Sequence, residues 1–320
     1  MEVDWCVIGA GFAGLRIARQ LEEQGASYIV LDKGRSPGGR AATRRMAGTR
    51  FDHGLPWLED RGRFTAGLID SLRDSGLIQP VKLNEAGERA WVSPGGITAV
   101  TKHLASGMKV EHQRKVASVA PAASGSSLIL EENAPADRLT ARHVVVTVPI
   151  PQAAQLVPEL FADVVTPTGD EAFRKSVIAL VATDSGQDPG QPFLFDNPVP
   201  GIERITVESQ KRESPVAAFT VRSDETASET LWDLPDDEIW SWISSQLTAG
   251  GFDFGTPGEL QIKKWRYSEC AQPIGEPFLS IDRGAGRLSA CGDGFSVPGC
   301  TPGLETSLGS AEAFGSLYLS

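Results

Sequence analysis

Cysteine is scarce. Cys6, Cys270, Cys291 and Cys300 are the only four in 320 residues, and none forms a C-x-x-C pair. That excludes a disulfide scaffold and leaves free thiols in a reducing compartment as the expectation. Histidine is equally thin: His53, His103, His112 and His143 do not fall at metal-ligand spacings, so no metal is expected. Positive charge is in deficit, with 30 Lys and Arg against 41 Asp and Glu and a formal net charge of −11. Nucleic acid and anionic membranes both select a basic footprint, so neither is an expected partner. No apolar run approaches the ~18 residues of a membrane span. Glu2 and Asp4 stand where a secretory leader would be basic, so a cytoplasmic location is expected. What remains, 41% hydrophobic and 22% charged, suffices for one large domain or two modest ones.

What is present begins at once. Val3–Ile8 is a short apolar run with β-branched residues, ended by Gly9, and is expected to be a buried parallel strand. From Phe12 the period changes: Leu15, Ala18 and Leu21 make an apolar face, while Arg16, Arg19, Glu22 and Glu23 are polar, up to Gly25 as a C-cap. Tyr28–Leu31 is a second strand, ended by Asp32. Gly9, Gly11 and Gly14 therefore form G-x-G-x-x-G at a strand-to-helix turn in a βαβ unit, the context that lifts a weak pattern to a dinucleotide site. Gly9 permits the turn, Gly11 admits a pyrophosphate, and Gly14 lets helix and strand pack closely. The helix N-terminus at Phe12 and Ala13 offers its N–H groups to phosphate. Asp32 is placed to accept from the adenosine ribose, with Lys33 beside it. Next come Gly38, Gly39 and Arg40, where a guanidinium can pair with the same pyrophosphate.

These stretches, with FDHG at 51–54, WVSPGGITAVTKHLA at 91–105, KKWRYS at 263–268 and LSACGDGF at 288–295, resemble the flavin-dependent amine oxidase superfamily, and within it the renalase-like proteins. The resemblance implies an α/β fold: a Rossmann-like FAD-binding domain plus an interleaved α+β substrate domain with an antiparallel sheet. It places the FAD domain at 1–55, 95–150 and 280–320, and the substrate domain at 56–94 and 151–279. It implies non-covalent FAD, with the backbone near Val116 on adenine. Oxidation of dihydronicotinamide dinucleotide isomers by O2 is the implied activity. Residue chemistry agrees at the C-terminal side. Gly292 and Asp293 end a short strand, where Asp293 can bond the ribityl chain or a phosphate. The helix from Leu304 points its N-terminus where reduced flavin carries charge.

Within the rest, 173–182 and 202–222 are expected as antiparallel strands, 109–121 as a strand pair, and Asp236–Leu247 as a helix burying Ile239, Ile243 and Leu247. No second glycine motif offers a separate nicotinamide domain. The cleft candidates are His53, Trp57, Trp265 and Tyr267, the last two alternating with Lys264 and Arg266 so that both aromatics would share one face. They could sandwich a dihydronicotinamide ring, cage an amine, or be core. Leu55-Pro56-Trp57 replaces the polar contact usual after FDHG, and Gly294–Gly303 is a longer loop than the resembled proteins carry. The expected partners are a small hydride donor, dihydronicotinamide or amine, and O2; no protein partner is indicated. The alternatives are a flavin amine oxidase or desaturase, or a flavin-binding redox module without turnover.

Overall fold

The computed structural model describes residues 1–83, 88–131, 138–183 and 193–319. The strand Glu2–Ile8 lies inside an eight-stranded sheet, parallel to Tyr28–Asp32 on one side and to Arg138–Val146 on the other. Val110–His112 extends the sheet beyond Tyr28–Asp32. Gly286–Ala290 and Leu279–Arg283 extend it beyond Arg138–Val146. Val7, Ile8 and Val144–Val146 are unbroken apolar runs because both faces of these strands are covered. The helices Phe12–Glu23 and Leu304–Tyr318 close one face through Leu15, Ala18, Ala311 and Phe314. The helix Ile150–Leu156 and the Leu160–Phe161 turn close the other.

The expected strands within 109–121 both form, but they do not pair with each other. Val110–His112 joins Tyr28–Asp32, whereas Val116–Ala122 makes a hairpin with Gly125–Leu130 that attaches antiparallel to Arg138–Val146. Gln113, at φ 58°, turns the chain between them.

A second, five-stranded sheet is wholly antiparallel, in the order Leu194–Val199, Ile202–Val207, Ala217–Ser223, Phe173–Thr183, Glu259–Cys270. Its period of two is visible in the packing. Val177, Ala179, Val181, Phe219 and Val221 face the helices Glu225–Leu231 and Asp236–Ala249, which return Leu231, Ile239, Ile243 and Leu247. Ile178, Leu180 and Ala218 face the other way, onto Met46, Phe51 and Trp265. Met46 and Phe51 belong to the hairpin Thr43–Met46/Thr49–Asp52, which follows the glycine-rich segment 38–39 and packs on this face of the antiparallel sheet. The molecule is thus a Rossmann-like α/β unit with a separate sheet-rich unit. Among the described residues no helix is long and apolar enough to cross a membrane.

Candidate functional site

Gly9 ends the first strand at φ 109°, and a side chain there would strike Thr147 Oγ1 at 2.7 Å. At Gly14 a Cβ would lie 1.9 Å from the Gly9 carbonyl oxygen, so the helix passes the strand at a distance only glycine permits. Gly11 differs: a Cβ there would meet nothing within 4 Å. The turn is tight on its inner side and open on its outer one, as a cradle for a large ligand requires. Gly39 lies across it, its imagined Cβ 3.9 Å from the Gly11 Cα. Asp32 closes the floor, accepting from Ala10 N at 2.7 Å and from Gly34 N at 2.6 Å. The segment carrying Val116 runs alongside, with Gln113 N donating to Gly34 O and Arg114 N to Asp32 O. Lys33 is exposed, its Nζ 3.4 Å from Gln152 Oε1.

The distant C-terminal motif arrives at the same place. Arg40 Nη1 and Nη2 donate to Asp293 Oδ2 and Oδ1 at 2.7 and 2.5 Å, a fork closed across 253 positions. Burial disfavours the Arg40 charge, but the Asp293 carboxylate outweighs it and holds the guanidinium pKa above its ordinary value. Gly292, at φ 144°, donates its N–H to Ser310 Oγ of the last helix. That helix starts at Leu304 behind Gly303, whose φ of 96° turns the chain in. Its Glu305 is buried and accepts from the N–H groups of Phe64 (3.2 Å) and Thr65 (2.7 Å), capping the helix Arg63–Asp74, which has no side-chain cap of its own. Cys300 and Phe64 both lie against Gly309, with Cys300 Sγ 4.0 Å from Glu305 Oε1.

The four cleft candidates separate into two groups. His53 and Trp265 come together, stacked with centroids 5.6 Å apart, and Trp265 Nε1 donates to the His53 carbonyl at 2.7 Å. The backbone of 53–55 pairs with 40–42, His53 N–H donating to Ala42 O and Leu55 N–H to Arg40 O. Burial, then Lys263, pushes the His53 imidazole down to about 4, so it is neutral near pH 7; its buried Nδ1 has no hydrogen-bond partner among the described residues. Tyr267 does not join Trp265. Between Arg174↔Glu269 and Ser176↔Trp265 the register slips, so one residue of the inner strand opposes three of the outer. Tyr267 consequently turns onto Phe173 and donates to Asp170 Oδ1 at 2.7 Å. Trp57 is buried edge-on against Phe193, its indole N–H taken by Glu59.

The sequence pattern does not mark the residues that join these groups. Asp52, next to His53, is buried with Lys211, Arg212 and Glu208: Arg212 Nη2 donates to Asp52 Oδ2 at 2.6 Å and Lys211 Nζ to Glu208 Oε1 at 2.8 Å. Burial would raise both carboxyls. At Asp52 the two cations prevail and its pKa falls, whereas at Glu208 burial prevails and its pKa rises. Ser268 offers its carbonyl to Arg40 at 3.3 Å and its hydroxyl to Arg222 at 3.3 Å.

A family model for flavin containing amine oxidoreductases matches residues 62–303, and one for NAD(P)-binding Rossmann-like domains matches 7–70. The chain belongs to the flavin containing amine oxidoreductase family. AofH of Mycobacterium tuberculosis, provisionally named a flavin-containing monoamine oxidase, is 48% identical over 52 residues, 16% of this chain. That match spans only 12% of AofH's own length. Among solved structures, putrescine oxidase bound to putrescine superposes with a TM-score of 0.71 at 13% identity, covering 100% of this chain and 98% of its own. A provisionally named protoporphyrinogen oxidase from Exiguobacterium sp. 255-15 gives 0.73 at 13%, covering 99% and 98%. At those identities the likeness is one of fold. The family carries a flavin, and the residues present fit one. The cradle at Gly11 is open to a pyrophosphate and an arginine fork stands beside it.

Proposed function

We propose that the chain is an FAD-dependent oxidase that accepts a hydride from a small donor and passes the electrons to O2. Bound FAD would supply the hydride acceptor at flavin N5 and the outlet to oxygen. The chain's own residues hold, orient and seclude. The Gly9–Gly14 turn and the N–H groups at Phe12 and Ala13 would take the pyrophosphate, helped by Gly39 and Arg40. Asp32 would take the adenosine ribose, and the backbone at Val116 the adenine. Gly292, Asp293 and the helix start at Leu304 would take the ribityl and ring end. The FAD domain is then 1–55, 95–150 and 280–320, with 56–94 and 151–279 as substrate domain. His53, held neutral and stacked on Trp265, leaves an imidazole on the cleft wall able to donate or accept without adding charge. Attachment of the flavin would be non-covalent.

The observation that carries this reading is the convergence of both chain ends on one open glycine cradle, sealed by the Arg40–Asp293 fork. Two donor classes fit: dihydronicotinamide dinucleotide isomers, as the likeness to renalase-like proteins implies, and small amines, favoured by family membership. The test is to purify the protein with FAD and mix it anaerobically with each donor, following the flavin absorbance. Rapid bleaching by one class, reversed by air with release of peroxide, is expected. Failure to retain FAD at all would sink the reading, and bleaching that air does not reverse would reduce it to a redox module without turnover.

A further inference from the structure

Two arginines stand side by side on the antiparallel sheet. Arg204 and Arg222 are register partners on the strands Ile202–Val207 and Ala217–Ser223, just past a bulge. The same two carboxylates hold both. Arg204 Nη2 donates to Glu203 Oε1 at 2.7 Å and lies 3.8 Å from Glu269 Oε1. Arg222 places Nε 2.8 Å from Glu203 Oε2 and Nη2 2.7 Å from Glu269 Oε1. The carboxylates are the outer members, with side chains 32% and 47% exposed against 19% for Arg204 and 11% for Arg222. Partial burial first, and then the neighbouring Arg222, pull the Arg204 pKa below its ordinary value. Arg222 Nε, although 2.8 Å from Glu203 Oε2, is buried and makes no well-directed hydrogen bond among the described residues.

The pair belongs to the cleft. Arg222 shares Ser268 with Arg40, which grips Asp293, and the Arg204 guanidinium lies 5.6 Å over the Trp57 ring. On the same side Lys263 and Arg44 stand beside His53, and Arg44 spends its Nε on the neutral Gln261. The wall thus gathers Arg204, Arg222, Lys263 and Arg44, with Glu203 and Glu269 as the counter-charges of the arginine pair. Placing like charges together out of water is unfavourable, and packing alone would be served by apolar residues. An incoming oxyanion competes with the half-exposed outer carboxylates for the planar N–H edges.

We propose that Arg204 and Arg222 form an oxyanion subsite that takes a carboxylate or a phosphate of the donor. The subsite rests on the oxidase reading only in naming its ligand as the donor. A simple cationic diamine is the wrong substrate for it. The probes are benzoate, its neutral isostere benzamide, and inorganic phosphate. They are titrated into the full chain, with and without FAD, and read by thermal shift and, when FAD is held, by perturbation of the flavin band. Saturable binding of benzoate or phosphate but not benzamide is expected, and whichever anion binds more tightly identifies carboxylate or phosphate as the natural group. R204Q and R222Q should each weaken that binding at least tenfold. E269Q removes a competing carboxylate and should strengthen it severalfold, a gain that damage to the fold cannot imitate. Benzamide binding as well as benzoate, neither anion binding, anion binding unchanged in R222Q, or weaker binding in E269Q would each overturn the proposal. The titration without FAD answers even if the chain proves unable to retain the cofactor, so failure of the oxidase reading and failure of the subsite are told apart.

Discussion

His53 and Glu305 do opposite things with burial. His53 gives up its charge, its pKa falling from 6.5 to about 4. The unfolded chain therefore binds a proton near pH 6.5 that the folded chain refuses until about 4, so stability is full above 6.5 and is lost as pH falls between the two values. Replacing His53 by Gln removes that liability. Between pH 7 and 4.5 the unfolding free energy of the native protein, from urea titration, should fall further than that of H53Q, by a difference on the order of 1–3 kcal/mol. Equal slopes would place the imidazole in water. Glu305 instead spends its carboxylate on two backbone N–H groups at the start of Arg63–Asp74. Glu305→Ala should cost about 1–2 kcal/mol in urea unfolding, as loss of a helix cap does.

Among the elements, the strand–turn–helix at 2–23 separates fold from binding residue by residue. Gly11→Ala adds a methyl where nothing stands within 4 Å, at an N-cap of φ −76° that alanine adopts freely. It should leave the melting temperature within about 2 °C of the parent while cutting FAD retention at least tenfold, read from the flavin-to-protein absorbance ratio. Gly14→Ala drives a methyl into the Gly9 carbonyl and should lose roughly 1–3 kcal/mol of stability as well as the cofactor. This unit was legible in the sequence because all its signals are local: a change of period, glycines at fixed offsets, an acid at the strand end. The Trp265–Tyr267 face was not. A period-two reading assumes an unbroken ladder, and the slip opposite Lys175 sends Tyr267 to Asp170. Trp57 read as a cleft candidate, and its packing edge-on against Phe193, far along the chain, carries no local signal.

At the scale of the whole molecule the hairpin that carries Asp52 is tied to the sheet-rich unit by charge buried where water cannot compensate it. Asp52 precedes the cleft loop, and its partners Lys211 and Arg212 lie 159 and 160 positions away on the sheet-rich unit. No periodicity links such distant residues, which is why neither the network nor the Arg204–Arg222 pair could be read from the sequence. Lys211→Met leaves Glu208 without its nearest cation and should cost about 3–5 kcal/mol in chemical denaturation. Adding Glu208→Gln should recover at least half of that loss; a double variant as unstable as the single one would mean that Lys211 acts through packing alone. The arrangement of the ends has a further consequence during synthesis. The first helix is covered by Leu304–Tyr318, whose Glu312 meets Arg16 and Gln20. Asp293 and Gly303 come from the same late segment. The cradle at residues 9–14 therefore stays half built during synthesis until the later segment that carries Asp293 and Gly303 has followed. Nascent chains stalled short of residue 293 should bind no flavin, and apoprotein should accumulate when cofactor is limiting at chain release.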